Sequence, residues 1–395
     1  MDRRPLGENE GMRGIYVHIP FCVRKCAYCD FYSVAGDRRA IEGFRDLLVR
    51  EMDLFREKYP GEADAPADTI FFGGGTPTVL GAKALCGILA ALKGRFPIAP
   101  DAEVTTEANP GTVSAEDLHA LREGGFNRLS LGVQSFSPAT LRTLGRIHGV
   151  EEVRAAHRES RRAGFAAIGF DLIFGVPGQA PPDWAADLDT TVTFLPSHVS
   201  AYALSPEPGT RLYEALGRGE ARMPPDEAVA DMYEETRRTL SRAGYRQYEI
   251  SNFARPGSEC RHNFKYWKRD GYRGFGPSAH GLLFPPGEAP LGLRTANPPS
   301  LSAYGRRIRE GRLPWGEVHA CSGEDAWKES LIAGLRLTEG IDPADIEKRT
   351  GPPPKDLREA VESLTRAGKL LRDGSRLRLP DALLFVSNEV LQALA

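Results

Sequence analysis

Cysteine is scarce in this chain, with six in 395 residues, and that scarcity excludes the disulfide frameworks that hold small secreted folds together. An excess of either charge is also missing. Against 51 Lys and Arg stand 53 Asp and Glu, for a net charge of −2, so no overall basic field exists to gather a phosphate backbone. No apolar run approaches the length of a membrane span, and the N-terminal MDRRPLGENEGMRG carries no apolar core of the kind that marks a secretory leader. Nucleic acid is therefore not the expected partner, and an integral membrane protein is not expected. The expectation is a soluble cytoplasmic protein, in a compartment where thiols stay reduced and available to metals. The length suits about two or three domains and is ample for burying a cofactor.

Half of the few cysteines lie together. In GIYVHIPFCVRKCAYCDFYS, Cys22, Cys26 and Cys29 follow C-x-x-x-C-x-x-C spacing. Three thiolates on one short loop fill three corners of a [4Fe–4S] cube and leave the fourth iron open to a ligand. The aromatics Phe21, Tyr28, Phe31 and Tyr32 are expected to shield that cube, while Arg24 and Lys25 offset part of its charge. A structural zinc site would show a second C-x-x-C or C-x-x-H pair, and none stands close by.

Along the chain, short β-branched and aromatic runs alternate with amphipathic stretches: GIYVHI, a helix over Ile41 to Tyr59, DTIFFGGG, a helix over Ala82 to Arg95, EVTTEANP, and a helix from Ser114 with Asp117 three residues on. NRLSLGVQSF, a helix after Ser137-Pro138, IGFDLIFGVPG, a helix near Trp184 and HVSAYALSPE continue the pattern, giving six strand–helix repeats. Glycines placed to end helices precede aromatics at Gly125-Phe126, Gly164-Phe165 and Gly244-Tyr245. Periodicity alone leaves an open doubly wound sheet and a full or partial barrel as alternatives. In both, chemistry gathers at the strands' C-terminal ends. The candidate residues sit there: the cysteines, Gly73-Gly74-Gly75-Thr76, Glu107, Asn109, Gln134, Asp171 and Tyr202.

The Pro- and Gly-rich segment Pro285 to Pro299 reads as a linker or surface excursion, extended to 285–312 as a boundary between a first unit (1–284) and a last one (313–395). The last unit shows three helices and a short hairpin with Asp373-Gly374 at its turn, an α+β winged-helix-like pattern. Its basic residues Arg366, Lys369, Arg372, Arg376 and Arg378 are balanced by neighbouring acids, and a fold of this kind is not in itself evidence of DNA binding. Cys86 and Cys321 read as small apolar residues in helices.

The triglycine after TIFF lacks both the dinucleotide fingerprint and the Lys of a P-loop. Behind a three-cysteine loop it lets backbone approach a small ligand, and the combination resembles the radical S-adenosylmethionine (SAM) superfamily. Closer still, IYVHIPFCVRKCAYCDF, FFGGGTPT, EANPGT, NRLSLGVQSF, LGRIH, FDLIFGVPGQ, AYALSPEPGT and YRQYEISNFARPGSECRHNFKYW, in that order, resemble the family of oxygen-independent coproporphyrinogen III oxidase and its heme-chaperone relatives. The resemblance covers nearly the whole chain. It implies an α/β fold built on a partial (β/α)6 barrel of the TIM type, with SAM bound at the open iron. It also places Tyr16 and Tyr28 beside SAM, Gly74, Gly75 and Thr76 at its amino acid end, and Glu107, Gln134, Arg146 and Asp171 around the remaining pocket. Plainer roles exist for each: strand-end caps for Glu107 and Asp171, an ion pair for Arg146, a loop-tethering amide for Gln134.

Two features part the chain from the oxidase. The oxidase pattern continues to a fourth cysteine two residues on, where this chain has Phe31, and the oxidase carries a long N-terminal extension, whereas here the first strand is reached by Ile15. A third feature, H-N-x-x-Y-W at His262, Asn263, Tyr266 and Trp267, resembles the heme-binding signature of the chaperone branch; imidazole is a common axial ligand and the aromatics would border the macrocycle. The alternative is that these aromatics pack in a core and His262 bonds locally. Cys260, two residues before His262, is another possible ligand. The expectation is a heme chaperone with a [4Fe–4S] cluster, SAM and heme as cofactors, and with heme-accepting proteins and an electron donor to the cluster as partners. No catalytic residue is assigned, and a homodimer is left open. Oxidative decarboxylation of coproporphyrinogen III is the second reading, and a cluster-bearing regulator a distant third.

Overall fold

The structure, a computed structural model, describes residues 11–35 and 38–395; the first ten residues, which carry most of the stretch read above for a leader, lie outside the described residues. Six strands succeed one another: β1 (Arg13–Ile19), β2 (Ala67–Gly74), β3 (Ile98–Ala108), β4 (Arg128–Gln134), β5 (Ala167–Phe174) and β6 (His198–Ala203). They lie side by side in that order, all parallel. Helices α1 (Arg38–Lys58), α2 (Ala82–Lys93), α3 (Ala115–Glu123), α4 (Val150–Arg162), α5 (Pro181–Phe194) and α6 (Asp226–Arg242) follow successive strands. The start of α3 is set as its sequence suggests: Ser114 Oγ accepts from the Asp117 N–H at 3.0 Å and the Asp117 carboxylate accepts from the Ser114 N–H at 3.2 Å. Gly125, Gly164 and Gly244 hold φ of +106°, +87° and +86°, a region that disfavours side chains, and turn the chain back so that Phe126, Phe165 and Tyr245 enter the core.

The six strands do not close on themselves. Beyond β6 the sheet continues antiparallel into β7 (Asn252–Ala254) and the two-residue strand Arg246–Gln247. Beyond β1 it continues into β8 (Tyr272–Phe275), which is parallel to β1 and makes a seventh parallel strand that the repeat pattern did not reveal. Outside β8 come β9 (His280–Leu283), β10 (Leu293–Ala296) and β11 (Glu317–Ala320), all antiparallel. The result is a partial barrel within a twelve-stranded sheet.

The reading of 285–312 as a linker is corrected here. It contains β10, paired on both edges, and a helix Leu301–Arg309 that starts at Ser300 and buries Tyr304 and Ile308. Pro and Gly density marked the turns around these elements and hid a four-residue strand between them. Cys321 likewise sits between β11 and the next helix (Gly323–Gly334), not inside a helix. The C-terminal portion has the expected three helices and hairpin, with Gly374 at φ +60° in the turn. Its Arg376 pairs with Glu339 at 3.2 Å and Arg378 with Asp381 at 3.3 Å. Apolar packing is continuous from the barrel into this portion, with Phe385 against Tyr233 (ring centroids 5.0 Å). No helix among the described residues is long and apolar enough to cross a membrane.

One buried acid ties the N-terminal helix to the far end of the sheet. Glu51 of α1, 1% exposed, accepts from Tyr304 Oη (2.6 Å), the Gly276 N–H (2.8 Å) and Asn297 Nδ2 (2.7 Å). Burial outweighs these hydrogen bonds and pushes its carboxyl up to about 7. Between an ordinary glutamate value near 4.5 and 7, the folded protein holds a proton that the unfolded chain has released. Stability contributed by this group therefore falls as pH rises through that window. Glu51→Gln is expected to flatten the decline in melting temperature between pH 5 and pH 8 relative to the parent protein. Parallel melting curves of parent and variant would refute the assignment. Glu51→Ala, which strands three donors, is expected to cost about 2–4 kcal/mol in denaturant unfolding.

Candidate functional site

At the C-terminal end of β1 the chain enters the cysteine loop. Phe21, fully buried and edge-on to Phe44 (5.2 Å, 88°), anchors its start, and a short parallel pairing of Phe21–Cys22 with Val34–Ala35 closes its base. Ala27 fixes the middle: its N–H donates to Leu144 O at 3.1 Å and its carbonyl accepts from the Leu212 N–H at 2.9 Å. His18 holds the far side, bonding Tyr32 O through Nε2 at 2.9 Å. So restrained, the loop brings Cys22, Cys26 and Cys29 to the wall of one cavity of about 350 Å³. All three are half-buried free thiols.

The opposite wall is backbone. At Gly75 an added Cβ would lie 2.6 Å from Phe21 O, and at Gly74 (φ +108°) it would lie 2.5 Å from the His18 ring, so only glycine lets β2 run this close under the loop. Thr76 Oγ1 donates toward Cys22 Sγ (3.7 Å) and accepts from Asn109 Nδ2 (2.8 Å). Arg146 donates to Cys26 Sγ (3.4 Å), to Gly132 O (2.8 Å) and to Asn109 Oδ1, while its Nε is buried without a partner.

Below this level the cavity runs down the barrel axis, lined at alternate positions by Thr105 and Glu107 of β3, Arg128, Ser130, Gly132 and Gln134 of β4, Asp171 of β5, and His198, Ser200 and Tyr202 of β6. Asp171 accepts from Ser130 Oγ (2.8 Å) and Ser200 Oγ (2.7 Å), and burial raises its pKa. Burial, with the Asp171 charge nearby, pushes Glu107 up to about 8, so its carboxyl is protonated at neutral pH. Gln134 holds φ +66°, a left-handed conformation unusual for a side-chain-bearing residue, at the strand end facing the cavity.

Three soft thiolate donors suit iron–sulfur chemistry. Without iron, burial leads a set of effects that pushes Cys29 up to about 11; metal coordination removes that proton. The close backbone approach at Gly74 and Gly75, the Thr105 hydroxyl, 1% exposed and unpartnered, and the unpartnered Arg146 Nε are polar features shaped for a bound group. The residues therefore fit a cluster and an adjoining polar ligand.

Of the expected SAM residues, Tyr28, Gly74, Gly75, Thr76, Glu107, Gln134, Arg146 and Asp171 all line the cavity, and Tyr16 does not. Tyr16 lies one layer behind, stacked on Phe71 (6.2 Å), with its hydroxyl on His18 Nδ1 (3.1 Å). Phe31, 64% exposed, lines the same cavity as the cysteines, while the Tyr32 hydroxyl accepts from the Leu301 N–H at 2.7 Å. Thr105, Ser130, Ser200, Arg128 and His198 were missed, although period-two reading of EVTTE, RLSLG and HVSAY puts them on one face with Glu107 and Tyr202.

The H-N-x-x-Y-W residues form a short helix, α7 (Arg261–Trp267), at the opposite, N-terminal end of the strands. His262 is 1% exposed and both ring nitrogens are engaged, Nδ1 with Thr69 Oγ1 (2.8 Å) and Nε2 with Tyr266 Oη (2.9 Å). Its ring stacks on Phe71 (5.4 Å), and Trp267 packs with Tyr248, Phe264 and Leu337 against the C-terminal portion. Asn263 alone reaches the cavity, from its floor, and donates to Tyr248 Oη at 3.2 Å. The four residues thus lie at the barrel floor, where His262 has both ring nitrogens engaged while Tyr266 and Trp267 are half-buried and the buried Trp267 Nε1 has no partner. Cys260, buried beside Glu103 (3.5 Å) and pushed up to about 12 chiefly by burial, belongs to the same floor.

Comparison with known proteins bears on family and fold. The Radical SAM superfamily matches residues 16–190 and the HemN C-terminal domain matches residues 321–384. The chain is 36% identical over 369 residues to the heme chaperone HemW of Mycobacterium tuberculosis, covering 93% of this chain and 90% of that one. It is 39% identical over 286 residues to the heme chaperone HemW of Escherichia coli, covering 72% and 74% respectively. Its fold is similar to that of the radical SAM enzyme coproporphyrinogen III oxidase (HemN) from Escherichia coli, with a TM-score of 0.82, 23% identity, and 98% and 91% of the two chains covered.

Two outcomes are expected. After anaerobic loading with iron and sulfide, alanine at Cys22, Cys26 or Cys29 abolishes the visible absorption of the cluster, whereas Cys86→Ala retains it; a full cluster spectrum in the triple variant would refute the ligand set. His262→Ala, which leaves Thr69 and Tyr266 facing a buried gap, lowers unfolding free energy by about 2–3 kcal/mol in urea; an unchanged midpoint would contradict the floor-plug role.

Proposed function

The chain belongs to the HemW family of radical SAM proteins, and from that premise we propose that it is a heme chaperone, which binds heme and passes it to acceptor proteins. The observation that carries the reading is similarity to heme chaperones over nine-tenths of the chain, joined to a three-cysteine cavity that Gly74 and Gly75 approach closely. Likeness to the oxidase, at 23% identity, speaks for shared architecture alone, and Phe31 stands where the oxidase pattern has cysteine.

Cys22, Cys26 and Cys29 would hold the cluster, with Gly74, Gly75, Thr76, Glu107, Gln134, Arg146, Asp171 and Tyr28 around SAM. A reduced cluster of this type supplies the electron that can cleave bound SAM. The chain's own residues prepare that ground. Gly74 and Gly75 allow main-chain contact where any side chain would collide. Glu107, neutral at pH 7, offers a hydroxyl donor without adding charge beside Asp171, and Arg146 brings a cation to the Cys26 sulfur. Burial, opposed by Arg146 and reinforced by the neighbouring thiolates, keeps the Tyr28 phenol protonated. Heme-accepting proteins and an electron donor are the partners this reading requires, and a reducing cytoplasm suits its six free cysteines.

A single anaerobic preparation tests it. SAM added to the reduced, cluster-loaded protein is expected to shift the cluster's EPR signal, hemin to bind with a defined Soret band, and coproporphyrinogen III to remain unconverted. Turnover to protoporphyrinogen would replace the chaperone with the oxidase, and an unchanged EPR signal at saturating SAM would remove the SAM pocket.

A further inference from the structure

Two buried ionisable side chains, His148 and Asp187, stand outside the cavity and grip one stretch of its wall, the end of β4. Between Leu131 and Gln134 that strand takes one residue more than β5 takes between Phe170 and Leu172, a bulge in the parallel ladder. Gln134 then turns at φ +66°, and the Ser135 N–H donates back to Val133 O at 2.9 Å, closing a three-residue turn of the rare, strained kind. The turn brings the Gln134 side chain back over Gly132. An added Cβ at Gly132 would lie 2.9 Å from Gln134 Nε2, 2.7 Å from Asn109 Oδ1 and 3.2 Å from Arg146 Nη2. Three polar side chains of the cavity wall therefore meet above a residue that has none.

His148 holds the turn on the side before Gln134. Its Nε2 bonds Val133 O at 3.0 Å, and since a carbonyl can only accept, Nε2 carries the proton. Burial, with the Arg146 charge nearby, pushes the ring down to about 4 and keeps it neutral. Asp187 of α5, 2% exposed, holds the side after Gln134, accepting from Ser135 Oγ at 2.6 Å and from the Phe136 N–H at 2.7 Å. Ser135 Oγ accepts in turn from the Ser137 N–H at 3.0 Å, which carries the grip to the start of the helix Pro138–Leu144. Strained backbone persists where its surroundings over-determine it, and it gathers at ligand clamps. Glycine at 134 would reverse the chain without strain, so a side chain kept there is a side chain in use. Resting on the SAM reading of the cavity, we propose that His148 and Asp187 are positioning residues for SAM: they hold the Gln134 turn and so aim the Gln134 amide at the ligand beside Asn109 and Arg146, without touching the ligand themselves.

The test is SAM titration of the reduced, cluster-loaded, full-length protein, followed in the cluster's EPR signal, with visible absorption reporting cluster content. His148→Leu, which keeps bulk and loses the donor, and Asp187→Asn, which turns an amide N–H toward one of two donors, are each expected to keep the cluster and weaken SAM about tenfold. His148→Gln, which restores an N–H near the Nε2 position, is expected to recover parent affinity. On a Gln134→Gly background, with neither strain to hold nor amide to aim, His148→Leu and Asp187→Asn are expected to cause no further loss. Ser135→Ala removes one of the Asp187 partners with little loss of bulk and is expected to weaken SAM in the same way, which keeps the test open should Asp187→Asn fail to load a cluster. Parent-like SAM affinity in His148→Leu and Asp187→Asn overturns the proposal and leaves the SAM pocket standing. A loss in His148→Leu that His148→Gln does not recover, or an equal further loss on the Gln134→Gly background, overturns it too, because the effect then arises away from the turn. A parent protein whose EPR signal ignores saturating SAM removes the SAM reading itself.

Discussion

The imidazole of His18 is the contact on which the cluster end of the barrel depends. It is 3% exposed, pressed under Gly74 so closely that a Cβ there would lie 2.5 Å from the ring. Tyr32 O can only accept, so Nε2 carries the proton, and Nδ1 must then accept from the Tyr16 hydroxyl. Burial depresses the pKa of the ring and keeps it neutral, the state this pattern of bonds requires. One side chain thereby joins the end of β1, the glycine turn of β2 and the exit of the cysteine loop. Tyr16, taken from the sequence as a ligand-binding residue, acts one step back from the cavity by fixing that ring.

Much of this was legible in the sequence where a short-range rule governs it. Cysteine spacing, triglycine after a strand, the Ser114 cap and glycines before aromatics each depend on a few neighbouring residues, and each lies where local chemistry put it. The polar axis of the barrel was less legible. Ser130 and Ser200 alternate with apolar residues just as a half-exposed strand would, and only the closing curvature of the sheet turns that face inward. The linker reading failed because β10 is four residues long and gains its stability from pairing on both edges, which composition cannot register. The floor position of the H-N-x-x-Y-W helix was illegible for a similar reason: its partners Thr69, Glu103, Tyr248 and Leu337 come from separate parts of the chain.

That motif is better understood as a joint. On its inner side α7 bonds the strand beginnings through His262 and Asn263, and the His262 N–H donates to Glu103 at 3.1 Å. On its outer side Trp267 and Phe264 meet Leu337, Arg336 lies over the Trp267 ring (5.7 Å), and Arg269, just beyond the helix, binds Glu329 at 2.6 Å. The C-terminal portion is thus clamped to the barrel floor through the helix, and a change in either is felt by both.

The two ends of the barrel differ in what it costs to open them. At the floor, Lys265 and Asp68 pair at 2.9 Å with both side chains almost wholly buried, and Arg128 faces Glu103 at 3.5 Å. Prising α7 away would break the Lys265–Asp68 pair, a penalty of about 3–5 kcal/mol. The mouth carries no such penalty, since Phe31, Val23, Ile147 and Tyr202 are already in water, and covering them gains free energy in proportion to the apolar area removed. Traffic into this barrel therefore runs through the cysteine end. A small polar ligand entering there meets the carboxyls of Glu107 and Asp171 along the cavity wall.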